Sequence, residues 1–148
     1  MSSTLIGTVF FDLGDTLVVT PAAWVPGAQT AIATLRAAGV RLGIISNTGN
    51  RTRAQVRQLL PTDFNLSDFV SELVILSSEV GHEKPSKEIF ELAVTRAAVA
   101  ANTCLFCTET LLDTLAAQQV GMRAARLLAT AGDLNALPTH LRDAGLLP

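Results

Sequence analysis

Five short apolar runs, evenly interleaved with segments of helical period, constrain this chain more than any other feature of it. The runs fall at residues 5–11, 40–45, 73–76, 104–107 and 123–127. Between and after them, apolar residues recur every three to four positions over 27–38, 51–60, 87–98, 111–120 and 134–144. Regular alternation of this kind predicts a three-layer α/β fold, with a five-stranded parallel sheet and helices on both faces. Gly39 and Gly121 each follow a helical run, where a left-handed residue is wanted, and Pro26 and Pro85 fall where helices begin. No repeat, low-complexity tract or linker interrupts the pattern, so one domain over residues 1–148 is expected.

Composition removes several classes of function. Hydrophobic residues make up 49% and charged residues 16%, which argues against disorder. A formal net charge of −2 gives no general reason to bind nucleic acid, so an anionic substrate must be held by local groups. The first four residues are polar without a basic stretch, so no signal peptide is expected. No apolar run approaches the ~20 residues of a membrane helix. Cys104 and Cys107 have CxxC spacing, but they lie in an apolar strand-like run whose period of two points the thiols to opposite faces, and no second Cys/His pair exists. They are read as core residues of a cytoplasmic protein.

In open parallel sheets, ligands bind beyond the carboxyl ends of the strands. The residues at those ends are therefore the candidates. The first strand, in TVFFDLGDTLVV, ends at Asp12; the second ends at Ser46 and Asn47; the fourth ends at Thr108 and Glu109, with Asp113 four residues on. Lys84 precedes the helix that leads to the fourth strand. A carboxylate nucleophile, a hydroxyl and a lysine to hold an anion, and further carboxylates to hold a metal are the parts of phosphoryl transfer through an aspartyl-phosphate.

These residues, in this order, resemble the four motifs of the haloacid dehalogenase (HAD) superfamily. The D-x-D-x-T motif is met by Asp12-Leu13-Gly14-Asp15-Thr16, the strand ending in Ser or Thr by LGIISN with Ser46, the Lys-Pro motif by HEKPSKEIF with Lys84, and the acidic fourth motif by TETLLDTLAAQQVGM with Glu109 and Asp113. The resemblance covers nearly the whole chain and implies a Rossmann-like, HAD-like fold. It implies Asp12 as nucleophile, with Ser46 and Lys84 as catalytic and substrate-binding residues beside Asn47. It also implies Mg²⁺ held by Asp12, the Gly14 carbonyl, Glu109 and Asp113. The corresponding partner is a phosphorylated small molecule or macromolecule.

Two departures stand out. Gly14 occupies the position of the aspartate that protonates the leaving group in family phosphatases, and Asp15 is one residue too late to aim the same way. General acid–base catalysis typically contributes 10²–10⁴-fold, so slow hydrolysis of unactivated phosphate esters is expected. Glu109 replaces the usual Asp after Thr108 rather than Gly, and its extra methylene strains the near-octahedral, ~2.0–2.1 Å coordination that Mg²⁺ demands, so weakened metal binding is expected. Neither interval between motifs has room for a cap domain, which implies a capless member with an open site, for which a homodimer is a natural cover. The segment VVTPAAWVPG is read as a small flap carrying Trp24, and His82 as a loop histidine. The rival reading is a catalytically impaired HAD-fold protein kept as a binding or regulatory module. A phosphorelay receiver is disfavoured because the acids are divided between strands one and four, and a dinucleotide-binding domain because no G-x-G-x-x-G follows strand one.

Overall fold

The computed structural model describes residues 4–19 and 22–148; residues 1–3 of the polar N-terminus, and Thr20 and Pro21 of the expected flap, lie outside the described residues. Five strands form one parallel sheet: β1 (Thr8–Phe11), β4 (Arg41–Ser46), β5 (Val74–Leu76), β6 (Cys104–Thr108) and β7 (Arg123–Arg126). Their spatial order is β5-β4-β1-β6-β7. The chain thus builds outward from β1 on one side, then returns to add β6 and β7 on the other. The switch point lies at the carboxyl end of β1, where doubly wound folds bind ligands.

Alternation along each strand feeds two separate cores. Val9, Phe11, Leu42, Ile44, Leu105 and Cys107 face one side, packed by α1 (Ala28–Ala37), α2 (Arg53–Gln58) and α6 (Asp133–Asp143). Phe10, Ile45, Ile75, Cys104 and Phe106 face the other, packed by α4 (Lys87–Ala97) and α5 (Leu111–Gln119). Cys104 and Cys107 therefore lie in different cores, free and buried, as the period of two requires. One close approach pins the sheet to its second core. A Cβ on Gly43 would stand 2.6 Å from the Phe10 ring and 2.7 Å from the Leu73 carbonyl oxygen, so the middle of β4 admits only glycine without displacement.

Helix boundaries follow local signals. Gly39 and Gly121 adopt φ of 80° and 90° just past α1 and α5, as the sequence predicts. Thr52 opens α2 with a capping box: its hydroxyl accepts from the Gln55 amide while the Gln55 side chain accepts from the Thr52 amide. Pro85 stands one residue ahead of Ser86, the residue that caps α4. Among the described residues, the interval between β1 and β4 holds only an antiparallel hairpin, β2 (Val18–Val19) with β3 (Ala23–Trp24), followed by α1. Between β4 and Lys84 there are α2, two single-turn 3-10 helices, β5 and the one-turn α3 (Ser77–Val80). Neither interval holds a cap domain among the described residues.

Candidate active site

The end of β1 presents a carboxylate into a cleft of about 440 Å³ lined by Asp12, Gly14, Ser46, Asn47, Lys84 and Asp113, among others. Asp12 is held from three sides. Its Oδ1 accepts from the Leu13 amide at 2.8 Å, and its Oδ2 accepts from the Thr108 hydroxyl at 3.2 Å. The Lys84 ammonium lies 3.0 Å from the same Oδ2. Parallel register explains the threonine: β1 pairs Phe11 with Cys107 of β6, so the next residues, Asp12 and Thr108, stand side by side.

Lys84 is almost fully enclosed, its side chain 2% exposed, with Nζ 3.6 Å from Asp113 and 5.4 Å from the Phe106 ring centroid. A buried ammonium needs such compensation, and two carboxylates with an aromatic face supply it. Its backbone is also clasped. Asn47 accepts from the Lys84 amide at 2.8 Å and donates to the Lys84 carbonyl at 3.0 Å. Thus the second strand end positions the lysine, and Asn47 lines the cleft with its carboxamide already engaged. The neighbouring Ser46 hydroxyl lines the same cleft and has no side-chain hydrogen-bond partner among the described residues. Thr48 ties this loop to α3: its amide donates to the Ser77 hydroxyl at 2.8 Å, and its own hydroxyl donates to that of Ser78 at 2.8 Å.

Asp113, in the first turn of α5, is 10% exposed. Burial raises its carboxyl above the usual aspartate range, and the Asp12 charge adds to the rise while Lys84 opposes it. Glu109 is placed differently from Asp12 and Asp113. It does not line the cleft, and its carbonyl accepts from the Arg126 guanidinium at 2.8 Å. Among the described residues no three His, Cys, Asp or Glu side chains gather as a metal cluster. Oxygen donors from Asp12, Asp113 and Gly14 nonetheless face one cleft, and nothing among the described residues donates to the Gly14 carbonyl. Mg²⁺ is commonly held by one or two carboxylates with water and substrate phosphate completing its shell, so this donor set fits the ion.

At position 14 the gap is real: a Cβ there would meet nothing within 4 Å. Neither candidate replacement reaches it. Asp15 is exposed, has a left-handed φ of 60°, and does not line the cleft. His82 is exposed and lines a different surface depression with Glu79 and Glu88. Trp24 packs on Phe64, with ring centroids 5.0 Å apart, and donates its indole N–H to Asp63. Two site residues escaped the sequence reading in their present roles. Thr108 stands there as a strand-end residue and as an intrusion on a glycine position, not as a donor to Asp12, and the Asn47 clasp has no signal in linear spacing.

The family model described as haloacid dehalogenase-like hydrolase matches residues 24–121, more than half of the chain. The match includes Ser46, Lys84, Glu109 and Asp113 and begins after Asp12 and Gly14. No curated protein matches the chain. Solved structures do. A HAD family hydrolase from Deinococcus radiodurans with bound phosphate and sodium aligns at 17% identity and TM-score 0.72, over 98% of this chain and 99% of that one. A HAD family enzyme from Bacteroides thetaiotaomicron, in complex with magnesium and inorganic phosphate, aligns at 15% identity and TM-score 0.69, over 84% and 95%. An uncharacterized protein from Corynebacterium glutamicum aligns at 21% identity and TM-score 0.69, over 95% and 96%. At these identities the likeness is one of fold.

Proposed function

The chain belongs to the haloacid dehalogenase-like hydrolase family, and from that membership we propose that it is a Mg²⁺-dependent phosphatase working through an aspartyl-phosphate on Asp12. The observation that carries this reading is the state of Asp12: a carboxylate at the switch point of the sheet, fixed by Thr108 and Lys84 and open to a cleft. Phosphate and magnesium in the Bacteroides thetaiotaomicron enzyme, and phosphate in the Deinococcus radiodurans hydrolase, support it from outside the chain.

In this reading the free Ser46 hydroxyl and the Lys84 ammonium hold the phosphoryl oxygens, and Asn47 fixes Lys84. Asp12 attacks phosphorus, the bond to the ester oxygen breaks, and the departing alkoxide takes its proton from water because position 14 carries no acid. A second water then attacks the phosphorus of the aspartyl-phosphate, freeing inorganic phosphate and the Asp12 carboxylate. Asp12, the Gly14 carbonyl and Asp113 would hold Mg²⁺, which when bound would supply positive charge against the phosphoryl oxygens. Glu109 would join it only by turning its side chain into the cleft. The substrate is a phosphorylated small molecule. Exposed Leu111, Leu112 and Leu115 beside the cleft favour a homodimer as its cover, which sedimentation equilibrium tests. The buried free thiols are in keeping with a cytoplasmic location, and no helix of the described residues is long and apolar enough to cross a membrane.

A second reading, a HAD-fold module kept for binding, is favoured by the empty position 14 and the absence of Glu109 from the cleft. One experiment separates the two: hydrolysis of p-nitrophenyl phosphate and acetyl phosphate, with Mg²⁺ and with chelator, beside Asp12→Asn. Good leaving groups sidestep the missing acid. Turnover that needs Mg²⁺ and disappears in Asp12→Asn supports the phosphatase; turnover equal to that variant overturns it.

A further inference from the structure

A second cavity, of about 220 Å³, adjoins the cleft, and Gly14, Ser46 and Asn47 line both. Position 14, on the border that both share, is open because no side chain stands there. Leu13, Val18, Val56, Leu59 and Leu60 make the second cavity's wall, and Arg51 contributes the one formal charge to its lining. That arginine is exposed and has no carboxylate partner and no side-chain hydrogen bond among the described residues. Arg53, two residues on, is by contrast committed to Glu79 at 2.7 Å.

We infer that this cavity receives the leaving group of the substrate: a short aliphatic alcohol whose far end carries an anion, read by Arg51. The inference rests on the phosphatase reading for its chemistry and deepens it by naming the substrate class. Three features point the same way. Five of the ten lining residues are aliphatic and mostly buried, with Ser46, Asn47 and Thr48 adding polar groups, so the aliphatic part rewards methylenes with about 25 cal/mol per Å² removed from water. The cavity lies below the ~300–1,000 Å³ of sites that hold drug-sized ligands, which suits a short chain. A free guanidinium at the edge of an apolar wall suits a carboxylate or phosphate that stays partly hydrated.

The test compares butyl phosphate, phosphooxybutanoate and butanediol bisphosphate, together with a homologous series of ω-phosphooxy carboxylates. In the unaltered protein kcat/KM should favour the two anion-tailed compounds over butyl phosphate by about tenfold or more, the worth of one charge-assisted hydrogen bond. Comparison of these two tells carboxylate from phosphate. The preference should peak at one chain length, fall to near unity in Arg51→Gln, and return in part in Arg51→Lys. A ratio near unity in the unaltered protein, a preference untouched by Arg51→Gln, or one independent of chain length overturns the inference; the last is the mark of simple surface attraction. Calorimetric binding of the same compounds to Asp12→Asn and to Asp12→Asn with Arg51→Gln decides the cavity even if no compound is turned over. Failure of the phosphatase reading and failure of the cavity are thereby read separately.

Discussion

At the scale of single residues, Gly14 and Asp113 carry the sharpest consequences. A side chain at position 14 meets open space, so Gly14→Asp should fold normally and supply the leaving-group acid. Turnover of unactivated alkyl phosphates should rise by about 10²–10⁴-fold, while p-nitrophenyl phosphate, whose leaving group needs no proton, should change little. Steady-state rates on the two ester classes check this, and an equal change in both would mean that proton transfer does not limit the reaction. Asp113 gives a pH dependence in the metal-free protein. Its folded-state pKa is raised above the ordinary ~3.9, chiefly by burial. The folded protein therefore holds that proton more tightly than the unfolded chain does. This contribution to stability is fully present below the ordinary value and is lost as pH rises through the raised one. Glu79, which Arg53 holds below the usual range, contributes the opposite slope, but equally in the parent and in Asp113→Asn. Urea unfolding with chelator present should thus show Asp113→Asn gaining on the parent as pH climbs out of the aspartate range; a pH-independent difference would refute the shift.

At the scale of elements, periodicity made most of the fold legible, because each strand and helix declares itself through the residues it must bury. The apolar runs at 40–45 and 104–107 became β4 and β6 within a residue at each end, and Gly39 and Gly121 ended their helices as expected. What linear spacing does not contain is register between strands. The bond from Thr108 to Asp12 depends on β6 lying beside β1 in one alignment, and the Asn47 clasp on Lys84 spans 37 residues. Glu109 shows the reverse case: motif order selects it as a metal ligand, yet the residue before it is the one turned to Asp12. The same limit hides a close approach within the sheet. Gly43 looks like a weakness in a strand-like run, whereas it is the space into which the Phe10 ring fits. Gly43→Ala should destabilise the protein by about 1–3 kcal/mol through overpacking. A urea midpoint unchanged from the parent would show that Phe10 can move aside.

At the scale of the whole molecule, the two ends of the sheet do different work. The cleft residues lie at or beyond the carboxyl ends of the strands, while the opposite end is closed by the C-terminal tail. There Ile6, just ahead of β1, donates to the Leu146 carbonyl at 2.8 Å, and Leu146 and Leu147 are buried in the core shared by α1 and α6. The apolar ending is therefore part of the chain's own core. Stability and chemistry should be separable along the strand axis. Removing residues 146–148 takes away two buried leucines, worth about 1.5–3 kcal/mol each, against the ~5–15 kcal/mol typical of a domain. The urea midpoint should drop substantially, and Leu146→Ala should produce a smaller drop of the same kind. Well below either midpoint, kcat and KM for p-nitrophenyl phosphate should match the parent's, because Asp12 lies beyond the far end of β1 from the tail. Loss of activity in Leu146→Ala while its circular dichroism stays native would mean that the sheet transmits strain from its closed end to the cleft, and the division of labour would fail.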